Sequence, residues 1–290
     1  MQIVVPLSDH PYYLWQALTQ AVELKRLGIP TTYLVYTQNK SPSSRLRDIM
    51  NAELADWHVW QDWRTEKVYN AAMKPALVGK WLKANPQHES TVLTIIDPDA
   101  IPTRQPSGKV TETVWVGTDT DSYTGVGYLK SKAGVWESLC AIVGVSVQSQ
   151  YIGVGAQVSA VGQSGEFWET VASKSITAFH TMKTSNTDVQ TWCSEMYVTA
   201  LECVRRGISL EPDLTYSMVW ANGPASGWQT DGFHHSAGVT AENGKDFCKI
   251  THQISPWGKQ LKVSPNSASA RYVELIRNVE QQYPELVWRA

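Results

Sequence analysis

The stretch Thr91-Val92-Leu93-Thr94-Ile95-Ile96-Asp97-Pro98-Asp99 decides how this chain is to be read. Thr91 to Ile96 is an unbroken run of apolar and β-branched residues, the pattern of a strand buried on both faces in the middle of a parallel sheet. Two acids follow at once around Pro98, so they fall at the strand's carboxyl end. In open α/β sheets that edge is where ligands bind. The turn breaks the strict alternation of the strand, so both carboxylates can reach one divalent cation, directly or through water. An Asp-x-Asp triplet also arises by chance or as a turn cap; its place after a buried strand favours the metal reading.

The flanking sequence supports a sheet of this kind. Gln2 to Pro6 reads as a strand, Ser8 or Asp9 as a helix N-cap, and Pro11 as a first-turn residue. Leu14, Trp15, Leu18, Ala21, Val22 and Leu24 recur at helical spacing until Gly28 and Pro30, and a second strand spans Thr31 to Thr37. This βαβ opening implies parallel strands. Asn39 to Arg47 reads as a loop leading to a short helix, and Lys74 to Lys83 as a helix feeding the central strand. Beyond the acids come a strand at Val114 to Thr118, a helix at Ala133 to Val143 and a glycine-rich stretch from Gly153 to Gly165. Helices follow at Thr187 to Arg206 and Ala268 to Gln281. The expected fold class is α/β, with a Rossmann-like, mostly parallel central sheet flanked by helices. No repeat, low-complexity tract or linker interrupts it, so a single domain over residues 1–290 is expected, with its halves meeting near residue 105.

Composition narrows the function. With 25 Lys+Arg against 27 Asp+Glu the formal charge is -2, which excludes a chain that holds nucleic acid by bulk positive charge and leaves room for a local basic groove. No apolar run approaches a membrane span and no export signal opens the chain, so a soluble cytoplasmic protein is expected. Cys140, Cys193, Cys203 and Cys248 form no CxxC pair and lie in no His-rich segment, which implies free thiols. The 13 Trp and 12 Tyr outnumber the 4 Phe. Such side chains, apolar with a polar tip, serve either as surfaces that stack on sugars and bases or as filling for a wide core.

Further candidates for chemistry lie downstream. His234 and His235 follow Phe233 in a loop-like segment; beside an acid pair, one imidazole would suit the mixed oxygen and nitrogen shell that Mn²⁺ accepts. Glu195 borders the apolar stripe of its helix, either as a solvated acid or as a base or hydroxyl acceptor beside a cleft. Gly153-Val154-Gly155 is half of a dinucleotide fingerprint, but Val158 stands in the third glycine's place, which argues against a nicotinamide site.

Taken together, several segments resemble the plant hydroxyproline O-arabinosyltransferases and peptidyl serine α-galactosyltransferases. They are Ser8-Asp9-His10-Pro11-Tyr12 with Trp15-Gln16, Tyr69-Asn70 with Lys74-Pro75 and Trp81-Leu82, and Ile96-Asp97-Pro98-Asp99. Trp192-Cys193-Ser194-Glu195-Met196-Tyr197 and Phe233-His234-His235 follow in the same order. The resemblance implies a GT-A glycosyltransferase fold, a UDP-sugar donor carrying a pentose or hexose, a divalent Mn²⁺ or Mg²⁺, and retention of the anomeric configuration. By position it implies Asp97, Asp99 and His234 as metal ligands. It further implies Ser8, Asn70, Lys74 and Asp97 at the donor, and Glu195 and Gln157 as residues orienting sugar or acceptor. On this reading residues 1–105 hold the nucleotide sugar and residues 106–290 the acceptor.

A cytosolic transferase needs a cytosolic hydroxyl. The expected acceptor is a hydroxymethylated pyrimidine such as 5-hydroxymethylcytosine in bacteriophage DNA, in the host cytoplasm, flipped from its stack. Arg45, Arg47, Lys130 and Lys132 would grip the phosphates. A peptide, glycan or small-molecule hydroxyl is the alternative acceptor. The rival activities are a haloacid-dehalogenase-like phosphatase, which would carry Thr or Val where Ile101 stands, and a non-catalytic glycan- or nucleic-acid-binding module.

Overall fold

In the computed structural model, which describes residues 1–185, 187–237 and 244–289, the run ahead of the acids is a strand of three residues. Along the chain the elements are β1 (Gln2–Ser8), α1 (Pro11–Arg26), β2 (Thr31–Thr37), α2 (Ser44–Asn51), β3 (Asp56–Gln61), α3 (Met73–Ala84), β4 (Leu93–Ile95) and β5 (Ala100–Pro102). Next come β6 (Val114–Asp119), α4 (Asp121–Thr124), α5 (Val126–Lys130), α6 (Val135–Val143), β7 (Val154–Ala160), α7 (Gly165–Lys183) and α8 (Ser194–Arg205). The last are β8 (Ser209–Pro212), β9 (Met218–Trp220), α9 (Gly227–Thr230), β10 (Phe233–His235) and α10 (Ala268–Gln282).

The architecture is mixed α/β, with a seven-stranded sheet in the order β3-β2-β1-β4-β7-β6-β8 and a three-stranded sheet in the order β5-β10-β9. β1 runs parallel to β4, β2 to β3 and β6 to β8, while β7 is antiparallel to both its neighbours. The mostly parallel sheet expected from the sequence is present.

Contacts divide the chain into two compact units. One comprises Met1–Pro6, Trp63–Ile96 and Gly108–Asp213; the other comprises Leu7–Asp62, Asp97–Ser107 and Leu214–Ala290. The first unit buries Trp81, Trp115, Trp136, Phe167 and Tyr197, and the second Trp15, Trp257, Tyr33, Tyr216, Tyr272 and Phe233. Much of the Trp and Tyr excess is therefore core. All four cysteines are buried thiols outside any disulfide. Among the described residues, no helix is long and apolar enough to cross a membrane.

Local chemistry explains where expectation and structure part. The first helix is capped by His10, whose Nδ1 accepts from Tyr12 N (3.2 Å), with Pro11 at its start. Neither Ser8 nor Asp9 is the cap: Ser8 ends β1, and the Asp9 carboxylate accepts from Ser43 N (2.7 Å) and Ser43 Oγ (2.6 Å), fixing the residue that caps α2. The helix expected from Thr187 begins at Ser194, after a single tight turn at Thr191–Cys193. The glycine-rich stretch is β7, where Gly155 lets the end of the Met196 side chain come close: a Cβ there would lie 2.3 Å from Met196 Cε. After Ser164 comes α7, the longest helix, which sequence reading passed over although Phe167, Trp168, Val171, Ala172, Ser175, Ala178 and Met182 mark its buried face at helical spacing. It crosses α3 closely at two glycines, since a Cβ on Gly165 would lie 2.6 Å from the Gly79 carbonyl oxygen.

α7 and α8 are joined by a charge cluster. Glu202, with no side-chain exposure, accepts from Lys174 Nζ (2.7 Å) and Arg205 Nε (2.8 Å). Burial alone would raise its carboxyl, but the hydrogen bonds from Arg205 and Lys174 outweigh that and hold it below the ordinary glutamate range. A depressed folded-state pKa contributes stability that is complete above the unfolded value and is lost as pH falls through the folded one. Glu202→Gln is therefore expected to cost on the order of 2 kcal/mol at pH 7, between the values for exposed and buried pairs. Urea melts should show the gap to wild type closing towards pH 3; a gap independent of pH would refute the charge account.

Candidate active site

The acid pair sits in a β-turn. Ala100 N donates to Asp97 O (3.1 Å), which places Pro98 second, where its fixed φ suits the turn, and Asp99 third. The chain then enters β5, whose antiparallel partner β10 sets His235 opposite Ala100 and His234 opposite Ile101. Ser236 N donates to Asp99 O (3.0 Å), so the ladder extends onto the turn. His235 consequently lies beside the acids, with Nε2 3.5 Å from Asp99 Oδ2. Asp97, Asp99 and His235 offer ligand atoms within 4.8 Å of one another and could hold a metal ion.

His234, the histidine expected as ligand, is outside that group. Successive strand residues face opposite ways, and His234 stacks on Trp228 (centroids 4.6 Å apart) with the Tyr272 ring 5.0 Å away. Among the described residues neither ring nitrogen has a hydrogen-bond partner. Burial, with His235 adding to it, pushes the His234 imidazole down to about 3, so it is neutral at pH 7.

Asp99 is buried and Asp97 partly so. The Lys249 ammonium rests directly on Asp99 Oδ2 and lies near enough to the Tyr12 phenol to act on it electrostatically. Burial would raise the Asp99 carboxyl, yet Lys249 and His235 hold it far below the usual carboxylate range. Burial would likewise lower the Lys249 ammonium, and Asp99 reverses this and raises it. Tyr12 packs edge-on against Tyr13, with centroids 5.0 Å apart. Lys249 was not anticipated from the sequence: it opens a single tight turn at Lys249–Thr251, 150 positions from Asp99.

Two carboxylates and an imidazole form a donor set suited to Mn²⁺, and the buried His235 Nδ1 has no hydrogen-bond partner among the described residues. The residues present therefore fit a divalent cation. The same cluster also presents an ammonium, so it can receive an anion alongside a cation.

In the other unit, Lys74 Nζ lies 3.4 Å from Glu195 Oε1. Because α8 starts at Ser194, Glu195 falls in its first turn, where a carboxylate is favoured by the exposed N–H groups, and Oε2 accepts from Met196 N (3.0 Å). The Tyr69 hydroxyl accepts from Glu195 N (2.9 Å) and donates to Trp192 O (2.8 Å). Lys74, Glu195, Met196, Ala156, Val154 and Trp168 are among the residues lining a cavity of about 40 Å³, large enough for a water-sized group and too small for a sugar.

The remaining expected residues are more scattered. Gln157 is buried on β7 and is not among the residues lining that cavity; its Oε1 accepts from the Thr118 hydroxyl (3.0 Å), and its Nε2 has no partner among the described residues. Asn70 is exposed at the start of the turn before α3, and Ser8 is buried at the end of β1. The basic residues expected to grip nucleic acid are engaged locally. Arg45 lies over Trp288, Arg47 donates to Pro42 O, Lys130 lies over Trp136 and Lys132 bonds Asp188.

No family model matches the chain, and no curated protein sequence matches it. Solved structures to which it is similar include a galactosyltransferase LgtC in complex with donor and acceptor sugar analogues, with TM-score 0.45, 8% identity and coverage of 99% of this chain and 100% of that one. An active-site mutant of LgtC aligns with TM-score 0.48 and 10% identity over 96% of each chain.

Proposed function

We propose that the chain is a metal-dependent glycosyltransferase of the GT-A type, moving a pentose or hexose from a UDP-sugar to a hydroxyl with retention. The observation that carries this reading is the convergence of Asp97, Asp99 and His235 with Lys249 at the end of β4. A nucleotide-sugar donor leaves as a diphosphate, and positive charge fixed where that negative charge develops is the largest help a protein can offer. A Mn²⁺ or Mg²⁺ held by Asp97, Asp99 and His235 would supply part of that charge. Lys249 would give phosphate oxygens its ammonium hydrogens, and the paired rings of Tyr12 and Tyr13 offer apolar faces to the base.

Glu195 is assigned to the sugar or acceptor. Its carboxylate is oriented by Lys74 and by Met196 N, so it can accept a hydrogen bond from a substrate hydroxyl without moving. No feature of the chain singles out DNA, because the four basic residues proposed for it have local partners. The acceptor is therefore assigned only as a hydroxyl.

Titrating UDP and a panel of UDP-sugars with and without Mn²⁺ in a calorimeter tests the reading. UDP is expected to bind only weakly without the metal and at least about tenfold tighter with it, which mass action converts into a higher Tm. The matching donor should be hydrolysed slowly to UDP, and transfer assays with peptide, glycan and hydroxymethylcytosine DNA would identify the acceptor. Release of inorganic phosphate, or UDP binding indifferent to Mn²⁺, would overturn the assignment.

A further inference from the structure

Gln20 is fully buried on α1, and its side chain spans the acid turn from below. Nε2 donates to the carbonyls of both Asp97 (2.9 Å) and Ala100 (2.5 Å), the two ends of the turn that carries Pro98 and Asp99. Oε1 accepts from the Tyr33 hydroxyl (2.9 Å), and the Tyr33 ring is stacked on Trp57 with centroids 4.2 Å apart. This network fixes the amide's orientation. Its two N–H hydrogens match two carbonyls, and its oxygen meets a hydroxyl; a flipped amide would set an oxygen against two oxygens. The Asp97 carbonyl thus accepts from both Ala100 N and Gln20, so the turn is held by its own hydrogen bond and by a side chain from another element.

We propose that Gln20, oriented by Tyr33, is the positioning residue that sets the separation of the Asp97 and Asp99 carboxylates for cation binding, an inference that rests on the metal reading above. A ligand pair on a two-bond-wide turn has little tolerance: rotating either peptide swings a carboxylate out of reach of a shared ion, and groups that orient ligands control affinity without touching the metal. Loss of the clamp leaves the buried Ala100 carbonyl without the amide donor, and the Asp97 carbonyl with its bond from Ala100 N but without the one from α1.

The test is Mn²⁺ binding to the intact chain by electron paramagnetic resonance, with the fold followed by circular dichroism. Gln20→Met keeps the length of the side chain and removes all three of its hydrogen bonds; Tyr33→Phe removes one hydroxyl and keeps the stack on Trp57. Mn²⁺ is expected to bind about 10- to 100-fold more weakly to Gln20→Met and about tenfold more weakly to Tyr33→Phe. Glu202→Gln, which lowers stability elsewhere, should bind Mn²⁺ as wild type does, so a general loosening is separated from a local one. Wild-type affinity in Gln20→Met overturns the proposal and leaves the metal reading standing, while a wild-type protein that binds no Mn²⁺ overturns both. If Gln20→Met does not fold, Tyr33→Phe decides by the same criterion.

Discussion

Asp99→Asn is expected to abolish Mn²⁺ binding and to lower donor turnover by at least about 1000-fold, the order lost when a principal charge-stabilising group is removed. The change keeps the volume of the side chain and removes the charge that both His235 and Lys249 face. It also leaves the Lys249 ammonium, 12% exposed, without its carboxylate. Breaking a buried pair from one side costs about 3–5 kcal/mol, so Tm should fall as well. Asp99→Asn combined with Lys249→Met separates the two effects: most of the Tm should return while activity stays lost. Turnover within tenfold of wild type in the single variant would remove Asp99 from the site.

The second large effect is expected at Glu195. Glu195→Gln keeps the shape of the group but weakens its attraction to Lys74 and its capacity to accept from a substrate hydroxyl. A positioned carboxylate of this kind contributes roughly 100-fold or more, so kcat should fall by that factor. UDP and Mn²⁺ affinity should hold, because Asp97, Asp99, His235 and Lys249 are untouched. Equal losses in kcat and in UDP affinity would indicate a structural role at the start of α8. An unchanged kcat would exclude Glu195 from the reaction.

What could be read from the sequence was local. The βαβ opening, the strand before the acids and the last helix were legible because hydrophobic period and punctuation agree within each segment. α7 was missed beside a stretch whose glycines read as loop, yet Gly155 and Gly165 are there for close approach to Met196 and Gly79. The acid pair was legible for the same local reason, as two carboxylates placed by one turn. Which histidine joins them was not, since His234 and His235 are adjacent and only the register of β10 on β5 turns one towards Asp99. Lys249 and Gln20 reach the turn from 150 and 77–80 positions away, and no spacing rule spans such distances.

That separation sets an order of events during synthesis. A ribosome adding about 5–20 residues per second takes on the order of ten seconds to pass the 150 positions from Asp99 to Lys249. Throughout that interval the nascent chain carries its acids without the ammonium and, until β10 emerges, without the imidazole. Gln20 and Tyr33 are already out, having preceded the turn. The acid pair can therefore be framed by its amide clamp first, and its counter-charge arrives only afterwards.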